Sequence, residues 1–314
     1  MTPESYTTTL ANIRVVPSPE GLYSSPTWFG DWIIVQYAAK LEKGLARIGI
    51  WRLRTDGSEF ERIELPNHAS CGSDGLNGFL EPAVLPDGRL GYSVECFPAG
   101  DPFGARTHLM AYDAETREVV QLLNSSLPSE YVGTGGYAWD PQMTRMIMGD
   151  GHRYIDEQLY WFTREISEPI DVGLPLAYAP SWSPDGGRIA FIGSRSKGSP
   201  VIDRTVHGIY LMNRDGTDVR LLLEGFDDSG GVSFSPDGRW LAFPGRFGQR
   251  EGEEQGLWLV DVETGERRLV AEGLIGVPNW SPDGQRIVDV RLKGPPLDRE
   301  DELVIVEVGP VLGD

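Results

Sequence analysis

Positive charge is scarce in this sequence, and long apolar runs are absent. Lysine and arginine number 28 against 47 acidic residues, which gives a net charge of −19. Nucleic acid and anionic membranes both require a cationic surface, so we expect binding to neither. No run of about 18 apolar residues occurs, so no transmembrane helix is predicted. Residues 1–6 have neither a basic nor an apolar segment, and no signal peptide is predicted at this start.

Glycine and proline are abundant, with 39 and 23 copies, and many of them belong to a repeated motif. Three near-identical segments contain Pro-Asp-Gly after Ser183, Ser235 and Ser281. A looser copy and two degraded copies bring the total to six, spaced by 43 to 56 residues. Their equivalent positions are Asp31, Asp87, Gln142, Asp185, Asp237 and Asp283.

Each repeat has the pattern of two β-hairpins. Pro-Asp-Gly between short apolar runs favours a tight turn, because proline presets φ and glycine accepts a positive φ. A second alternating run with its own Asp-Gly or Thr-Gly turn follows in the well-preserved repeats, and no stretch predicts an amphipathic helix. Four antiparallel strands recurring at this period predict a single all-β domain over residues 1–314, a six-bladed β-propeller. The predicted blades cover residues 24–66, 80–123, 136–173, 178–224, 230–272 and 276–308.

The motif Trp-Ser-Pro-Asp-Gly-x-x-Ile-Ala-Phe at residues 182–191 resembles the repeat of TolB-like, WD-repeat-like propellers. A similar repeat occurs in the non-catalytic domains of prolyl-oligopeptidase-like enzymes and in oligogalacturonate lyases. The resemblance covers nearly the whole chain and implies the propeller fold. It leaves the function open, because propellers host unrelated activities.

The ends of the chain predict how the ring closes. The last repeat supplies three strands before the chain stops, while residues 10–16 resemble the fourth strand of other repeats. An unpaired edge on the last blade would promote aggregation. We therefore expect the N-terminal strand to complete the sixth blade, with an open or partner-closed ring as the alternative.

Loop lengths distinguish two faces of the predicted ring. The turns within hairpins are tight, whereas the loops joining the two hairpins of each blade are long. These long loops are residues 38–46, 96–107, 150–157, 194–207, 246–255 and 292–301. Because long loops on a rigid scaffold commonly carry binding sites, we expect the functional face here and call it the long-loop face.

Three groups of side chains are candidates for ligand binding on that face. Arg195, Arg246 and Arg291 follow the second strands of three successive blades and would suit carboxylates or sulfates; alternatively, they pair with neighbouring acids. Acidic residues near the predicted channel mouth would hold a polar ligand or Ca²⁺, or would cap nearby turns. They are Glu81, Asp227 and Asp228. The loop aromatics Tyr131 and Phe247 have no repeat equivalents and are candidates for gripping a peptide or a sugar ring.

These observations leave two classes of function open. The first is a non-enzymatic propeller that binds a protein or peptide partner on the long-loop face around the channel, an anionic partner if the three arginines contact it. The second is a carbohydrate-active propeller of the lyase or glycoside-binding kind. Because the four histidines are scattered and no paired-carboxylate motif is recognisable, we predict no catalytic residue, no metal site and no other cofactor, apart from the Ca²⁺ option.

The two cysteines bear on the compartment. Cys71 precedes the first strand of blade 2 and Cys96 follows its second strand, so antiparallel pairing places both at the same face. We expect a Cys71–Cys96 disulfide, and with it a periplasmic or extracellular location. The alternative is two free thiols in the cytoplasm.

Overall fold

The structure is a computed structural model. It describes residues 7–41, 44–45, 48–66, 78–96, 106–123, 127–128, 137–149, 158–163, 167–195, 207–228, 230–247, 255–274, 276–293 and 300–312. Over these ranges, no helix is long and apolar enough to cross a membrane. The described chain forms six antiparallel sheets arranged in a ring, so the predicted six-bladed β-propeller is confirmed.

The chain begins with two strands that join later blades, β1 (Thr7–Thr8) and β2 (Asn12–Val15). Blade 1 contains β3 (Gly21–Phe29), β4 (Trp32–Leu41), β5 (Gly44–Leu45), β6 (Gly49–Arg54) and β7 (Glu61–Arg62). Blade 2 contains β8 (Gly78–Val84), β9 (Leu90–Cys96), β10 (Arg106–Tyr112), β11 (Val119–Gln121) and β12 (Leu127–Pro128). Blade 3 contains β13 (Tyr137–Trp139), β14 (Met146–Gly149), β15 (Leu159–Phe162) and β16 (Ser167–Pro169).

The second half of the chain is more regular. Blade 4 contains β17 (Leu176–Trp182), β18 (Arg188–Ser194), β19 (His207–Asn213) and β20 (Arg220–Glu224). Blade 5 contains β21 (Phe226–Asp228), β22 (Ser233–Phe234), β23 (Trp240–Phe247), β24 (Gln255–Asp261) and β25 (Arg267–Glu272). Blade 6 contains β26 (Asn279–Trp280), β27 (Arg286–Lys293) and β28 (Glu300–Glu307), followed by the short helix α1 (Gly309–Leu312).

Ring closure follows the prediction and adds one feature to it. Strand β2 pairs antiparallel with β28, from Asn12 opposite Glu307 to Val15 opposite Val304, and completes blade 6. The sequence did not indicate β1, which pairs in parallel with β25 of blade 5. The N-terminal segment therefore pairs with the outer strands of two adjacent blades, blade 5 and blade 6.

The repeated motif builds the turn between the first two strands of a blade. In blade 4 the Ser183 hydroxyl donates to the Asp185 carboxylate and accepts from the Arg188 N–H, which closes the turn. Ser281 makes the same pair of bonds with Asp283 and Arg286. Gly186 has a φ of +69°, which a residue with a Cβ adopts only with strain. The motif therefore forms and stabilises the turn, and these turns lie on one face of the ring, which we call the tight-turn face.

In blades 1, 4 and 6, the tryptophan of the motif bonds its blade to the preceding one. The Trp182 indole N–H donates to the Ala138 carbonyl at 3.2 Å, across the seam between blades 3 and 4. Trp280 donates to the Ser233 carbonyl and Trp28 to the Asn279 carbonyl, both at 3.1 Å. These tryptophans therefore bond adjacent blades, and the hydrophobic core lies between the sheets at the seams.

The innermost strands share a β-bulge. Ser25, Glu81 and Ala179 occupy equivalent repeat positions and have φ values of +49°, +52° and +50°. The strand register shifts at each of them. A bulge takes a residue out of the hydrogen-bonded ladder, so the backbone at these three positions is not paired with the neighbouring strand. Because the bulge recurs in three blades, it belongs to the fold.

Candidate functional site: the central channel

The first strands of all six blades enclose a cavity of about 680 Å³ along the central channel. Its walls run from the bulge positions to the prolines of the tight turns, which are Pro86 and Pro184 of Pro-Asp-Gly turns and Pro141 of the degraded copy in blade 3. The described cavity therefore occupies the half of the channel nearer the tight-turn face. Most of the lining is proline, small residues and valine, and a few polar side chains interrupt it, among them Glu81, Tyr137 and Asn279.

The seam between blades 2 and 3 differs from the seams described above. Trp139 lies at the motif tryptophan position of blade 3 and is 6% exposed. Its indole nitrogen is buried and has no hydrogen-bond partner among the described residues, unlike those of Trp28, Trp182 and Trp280. Blade 2 has Val84 at the same repeat position, and Val84 is 40% exposed. Both residues line the cavity.

Tyr137 adds a second polar group to this seam. It precedes Trp139 by two residues on β13 and lines the cavity too. Its hydroxyl is also buried and lacks a partner within the described part of the chain. Burial, together with the nearby Glu81 carboxylate, raises the pKa of Tyr137 above its ordinary value. The phenol is thus protonated at neutral pH and can donate a hydrogen bond.

Glu81 is held at the cavity wall by its backbone. Its N–H donates to the Gln36 side-chain oxygen at 2.9 Å, which ties the bulge of blade 2 to blade 1. The residue is partly exposed, and its role in ligand binding stays a prediction. Glu81, Tyr137 and Trp139 thus place one carboxylate and two buried hydrogen-bond donors at or behind the wall of the cavity.

The three candidate arginines lie near the long-loop face, and each contacts its own blade. Arg195 is 3.7 Å from Glu224, with 60% of its side chain exposed. Arg246 donates to the Gln255 side-chain oxygen at 2.5 Å, and Arg291 donates to Glu302 at 2.6 and 3.0 Å. None of the three is among the residues that line the described cavity. Their role in ligand binding stays a prediction, beside the alternative that they pair with neighbouring polar groups.

The other candidates are less completely described. Strand β21 places Asp227 opposite Arg246 and Asp228 opposite Gly245 in the backbone register. Phe247 packs against Phe226 and Trp258 and is partly buried, and its ring contacts the Arg267 guanidinium at 4.1 Å. Tyr131 lies outside the described residues. The ligand and Ca²⁺ roles expected for this group stay predictions.

Cys96 ends β9 and is disulfide-bonded. Cys71, the other cysteine of the chain, lies outside the described residues, so the pairing itself stays a prediction. No three histidine, cysteine, aspartate or glutamate side chains of the described ranges lie close enough to hold a metal ion together.

Tyr137 and Trp139 were not identified as ligand-binding candidates from the sequence, although a signal for one of them was present. Four blades have proline directly after the bulge position, namely Pro26, Pro82, Pro180 and Pro278. Blade 3 has Tyr137 there instead, so a break in the repeat marked the residue. Trp139 gave no such signal, because it matches the motif; what distinguishes it is the missing partner across the seam.

No family model matches this chain. An uncharacterized protein of Agrobacterium fabrum is 30% identical over 129 residues, which are 40% of each chain. The uncharacterized peptidase YuxL of Bacillus subtilis is 32% identical over 111 residues, which are 35% of this chain and 16% of the relative. The matches thus span 40% and 16% of the lengths of these two relatives.

Solved structures define the class of the fold as the six-bladed β-propeller. TolB from Acinetobacter baumannii superposes with a TM-score of 0.59 at 17% identity, over 89% of this chain and 64% of that one. An oligogalacturonate lyase in complex with manganese gives 0.57 at 13% identity, over 96% of both chains. The fold of this chain is a TolB-like propeller. At these sequence identities, the structural similarity supports only the assignment of the fold.

Proposed function

We propose that this propeller is a non-enzymatic binding protein whose protein or peptide partner docks around the central channel. The main support is the cavity. All six blades line it, and it combines apolar walls with a few hydrogen-bonding groups. Ligand sites commonly have this composition, since apolar contact supplies affinity and sparse polar groups fix orientation. A folded partner is too wide for the channel, so an extended segment of it would enter.

The long-loop face remains the proposed docking surface for the rest of the partner. Arg195 supports this, because its side chain is 60% exposed where the second strand of blade 4 ends. Charges at the rim of an interface chiefly affect the rate of association and specificity. The partner would thus contact the rim with its surface and the channel with a segment.

Channel blocking tests this proposal. Peptides would be selected from a displayed random library on the immobilised wild-type protein, and their affinities measured by calorimetry. Val277 lines the cavity and is 42% exposed, whereas Val120 lies on the outer strand β11 and is 43% exposed. We expect Val277→Trp to weaken peptide binding at least tenfold and the matched control Val120→Trp to leave it unchanged.

Two results would contradict the proposal. One is a selection that enriches no peptide; the other is equal affinity of both variants for the enriched peptides. Binding or cleavage of an oligogalacturonate, lost in Val277→Trp alone, would favour the carbohydrate-active alternative.

We also propose a periplasmic or extracellular location. The support is that Cys96 is disulfide-bonded, and such bonds persist in oxidising compartments. Thiol titration of the unfolded, unreduced protein tests it: no reactive thiol is expected, and two would contradict the bridge.

A further inference from the structure

The outer edge of blade 5 shows what a sheet of this propeller can accept from outside. Strand β1 pairs there in parallel with β25. Just after β1, the Thr9 N–H donates to the Leu269 carbonyl at 3.1 Å, and the Ala11 N–H donates to the Val270 carbonyl at 2.8 Å. An extended segment is thus bound at this edge through its backbone.

Blade 4 has an equivalent outer strand with no segment on it. Residues 220–225, Arg-Leu-Leu-Leu-Glu-Gly, match residues 268–273, Arg-Leu-Val-Ala-Glu-Gly, and both strands skip one residue in their pairing, Leu222 and Val270. The carbonyls of Leu221 and Leu222 therefore correspond to the two that bind the N-terminal segment in blade 5. No described backbone N–H from outside blade 4 donates to either of them.

A groove of about 500 Å³ runs beside this edge. One of its walls is formed by residues 221–224 of β20, and the other by the turn of residues 264–267 in blade 5. Gly265 faces the Leu222 carbonyl oxygen, which would lie 3.6 Å from a Cβ at that position, and it has no side chain to cover this oxygen. The outer edge of β20 therefore borders an open groove.

The other outer edges of the described ring discourage the addition of a strand. Strand β7 has two residues, both exposed and charged, β16 ends in Pro169, and β25 is covered by β1. Strand β20 has five residues, three of them leucines, and is the longest outer strand that no described segment covers. Because proteins usually blunt or cover a long apolar edge, an open one beside a groove indicates a partner.

The charged side chains of the groove are matched within the chain. Glu224 lies 3.7 Å from Arg195, and Glu266 lies 3.1 Å from Arg268. The Arg267 guanidinium packs 4.1 Å from the centre of a phenylalanine ring. The groups left for a ligand are the backbone of the strand and its leucine side chains, and these favour an uncharged segment.

We propose that the outer edge of blade 4 binds an extended, uncharged segment of a partner protein, which adds to β20 as a parallel fifth strand. Backbone N–H groups of the segment donate to the carbonyls of Leu221 and Leu222, and its side chains lie in the groove. β-Branched residues suit such a strand, as residues 7–9, Thr-Thr-Thr, do at blade 5. Strand addition is a general mode of peptide recognition. This site is separate from the channel and does not depend on the proposed function.

A synthetic peptide with the sequence of residues 6–12 tests the inference by titration calorimetry. The wild type already has its own N-terminal segment on β25, so we expect one peptide to bind per chain. Proline at the peptide positions of Thr9 and Ala11 removes the two N–H donors and should abolish binding. Deleting residues 1–11 of the protein vacates the edge of β25 and retains β2, and should raise the stoichiometry to two.

Thr264→Trp obstructs the groove, and Thr116→Trp is its matched control. Both threonines are exposed and occupy equivalent turns, where their hydroxyls accept from the N–H groups of Glu266 and Glu118. Both changes therefore remove the same turn bond, but of the two only Thr264 lines the groove. We expect Thr264→Trp to weaken peptide binding at least tenfold and Thr116→Trp to leave it unchanged.

Three results would overturn the inference. They are no binding to the wild type, binding only after deletion of residues 1–11, and equal affinity of the two tryptophan variants. Self-association of the wild type that Thr264→Trp abolishes, measured by sedimentation, would assign the edge to a second copy of this chain in place of a partner. None of these results bears on the channel, because Val277→Trp should leave the affinity for this peptide unchanged.

Discussion

The two seams that flank blade 3 each contain a tryptophan at the same motif position. They differ in whether the indole N–H is hydrogen-bonded across the seam. Between blades 3 and 4, Trp182 reaches the Ala138 carbonyl at 3.2 Å. Between blades 2 and 3, Trp139 is equally buried, yet no described residue accepts its N–H. The first seam is closed by the repeat, whereas the second leaves a buried indole N–H without an acceptor among the described residues.

This difference teaches where function can reside in a repeat protein. A motif that recurs in every blade encodes turns and seams, so its residues are explained by the ring itself. A repeat residue whose usual contact is missing needs an explanation of its own. Departures from the motif are thus informative only when the structure also gives them access to a cavity.

The largest effect on stability should come from opening the ring at blade 6. Deleting residues 1–18 removes β2 and exposes the edge of β28, together with the buried Val16. Four backbone pairings and a strand's apolar burial are lost. We expect the free energy of unfolding to fall by about 5 kcal/mol or more, measured by urea denaturation.

Deleting residues 1–8 is the control, because it removes β1 and retains β2. It should lower stability far less. An unchanged melting temperature after deletion of residues 1–18 would refute closure by the N-terminal strand.

A second departure from the repeat lies in blade 6, at a residue that does not line the described channel cavity. Asp289 is fully buried at a position that is Phe191 in blade 4 and Phe243 in blade 5. One of its oxygens accepts the Val290 N–H at 2.6 Å, and the other has no partner among the described residues. Burial, only partly offset by hydrogen bonds from Val290 and Gly276, raises the pKa of Asp289 to about 7.

This raised pKa makes stability depend on pH in a defined direction. The folded state favours the protonated carboxyl, so the stabilisation is complete below about pH 4 and is lost as the pH rises to about 7. Asp289→Asn should therefore match the wild type at low pH and exceed it by up to about 4 kcal/mol at pH 8. Unfolding free energies measured across this pH range check the prediction.

Asp185→Asn provides a control of opposite sign. Hydrogen bonds from Ser183 and Gly187 lower the pKa of Asp185, so its carboxylate stabilises the fold above about pH 4. If Asp289→Asn were less stable than the wild type at pH 8, the carboxyl would have an ionised role that its burial does not explain.

Most of the fold was predictable because the motif is local. Pro-Asp-Gly fixes a turn within four residues, and the alternating runs beside it fix strands, so six copies specified six blades. The resemblance of residues 10–16 to an outer strand was enough to predict β2. Strand β1 was not predictable, because Thr7 and Thr8 pair in parallel with a distant strand and have no pattern of their own.

The site was less predictable, because it depends on contacts between repeats. Arg195, Arg246 and Arg291 looked equivalent in sequence, yet they lie 10, 9 and 8 residues after Asp185, Asp237 and Asp283. Because successive strand residues face opposite sides, Arg246 is out of phase with the other two. Conversely, Trp139 looked ordinary, and only the position of blade 2 shows that its N–H lacks an acceptor. A sequence motif specifies a side chain but not the distance to the neighbouring blade.

The most direct test of this account compares Trp139→Phe with Trp182→Phe by urea denaturation without ligand. Both changes remove an indole N–H from a buried ring at the same repeat position. We predict that Trp182→Phe costs about 1 kcal/mol more than Trp139→Phe, because only Trp182 loses a hydrogen bond across a seam. Equal losses, or a larger loss for Trp139→Phe, would show that Trp139 closes its seam like the others and would contradict the account.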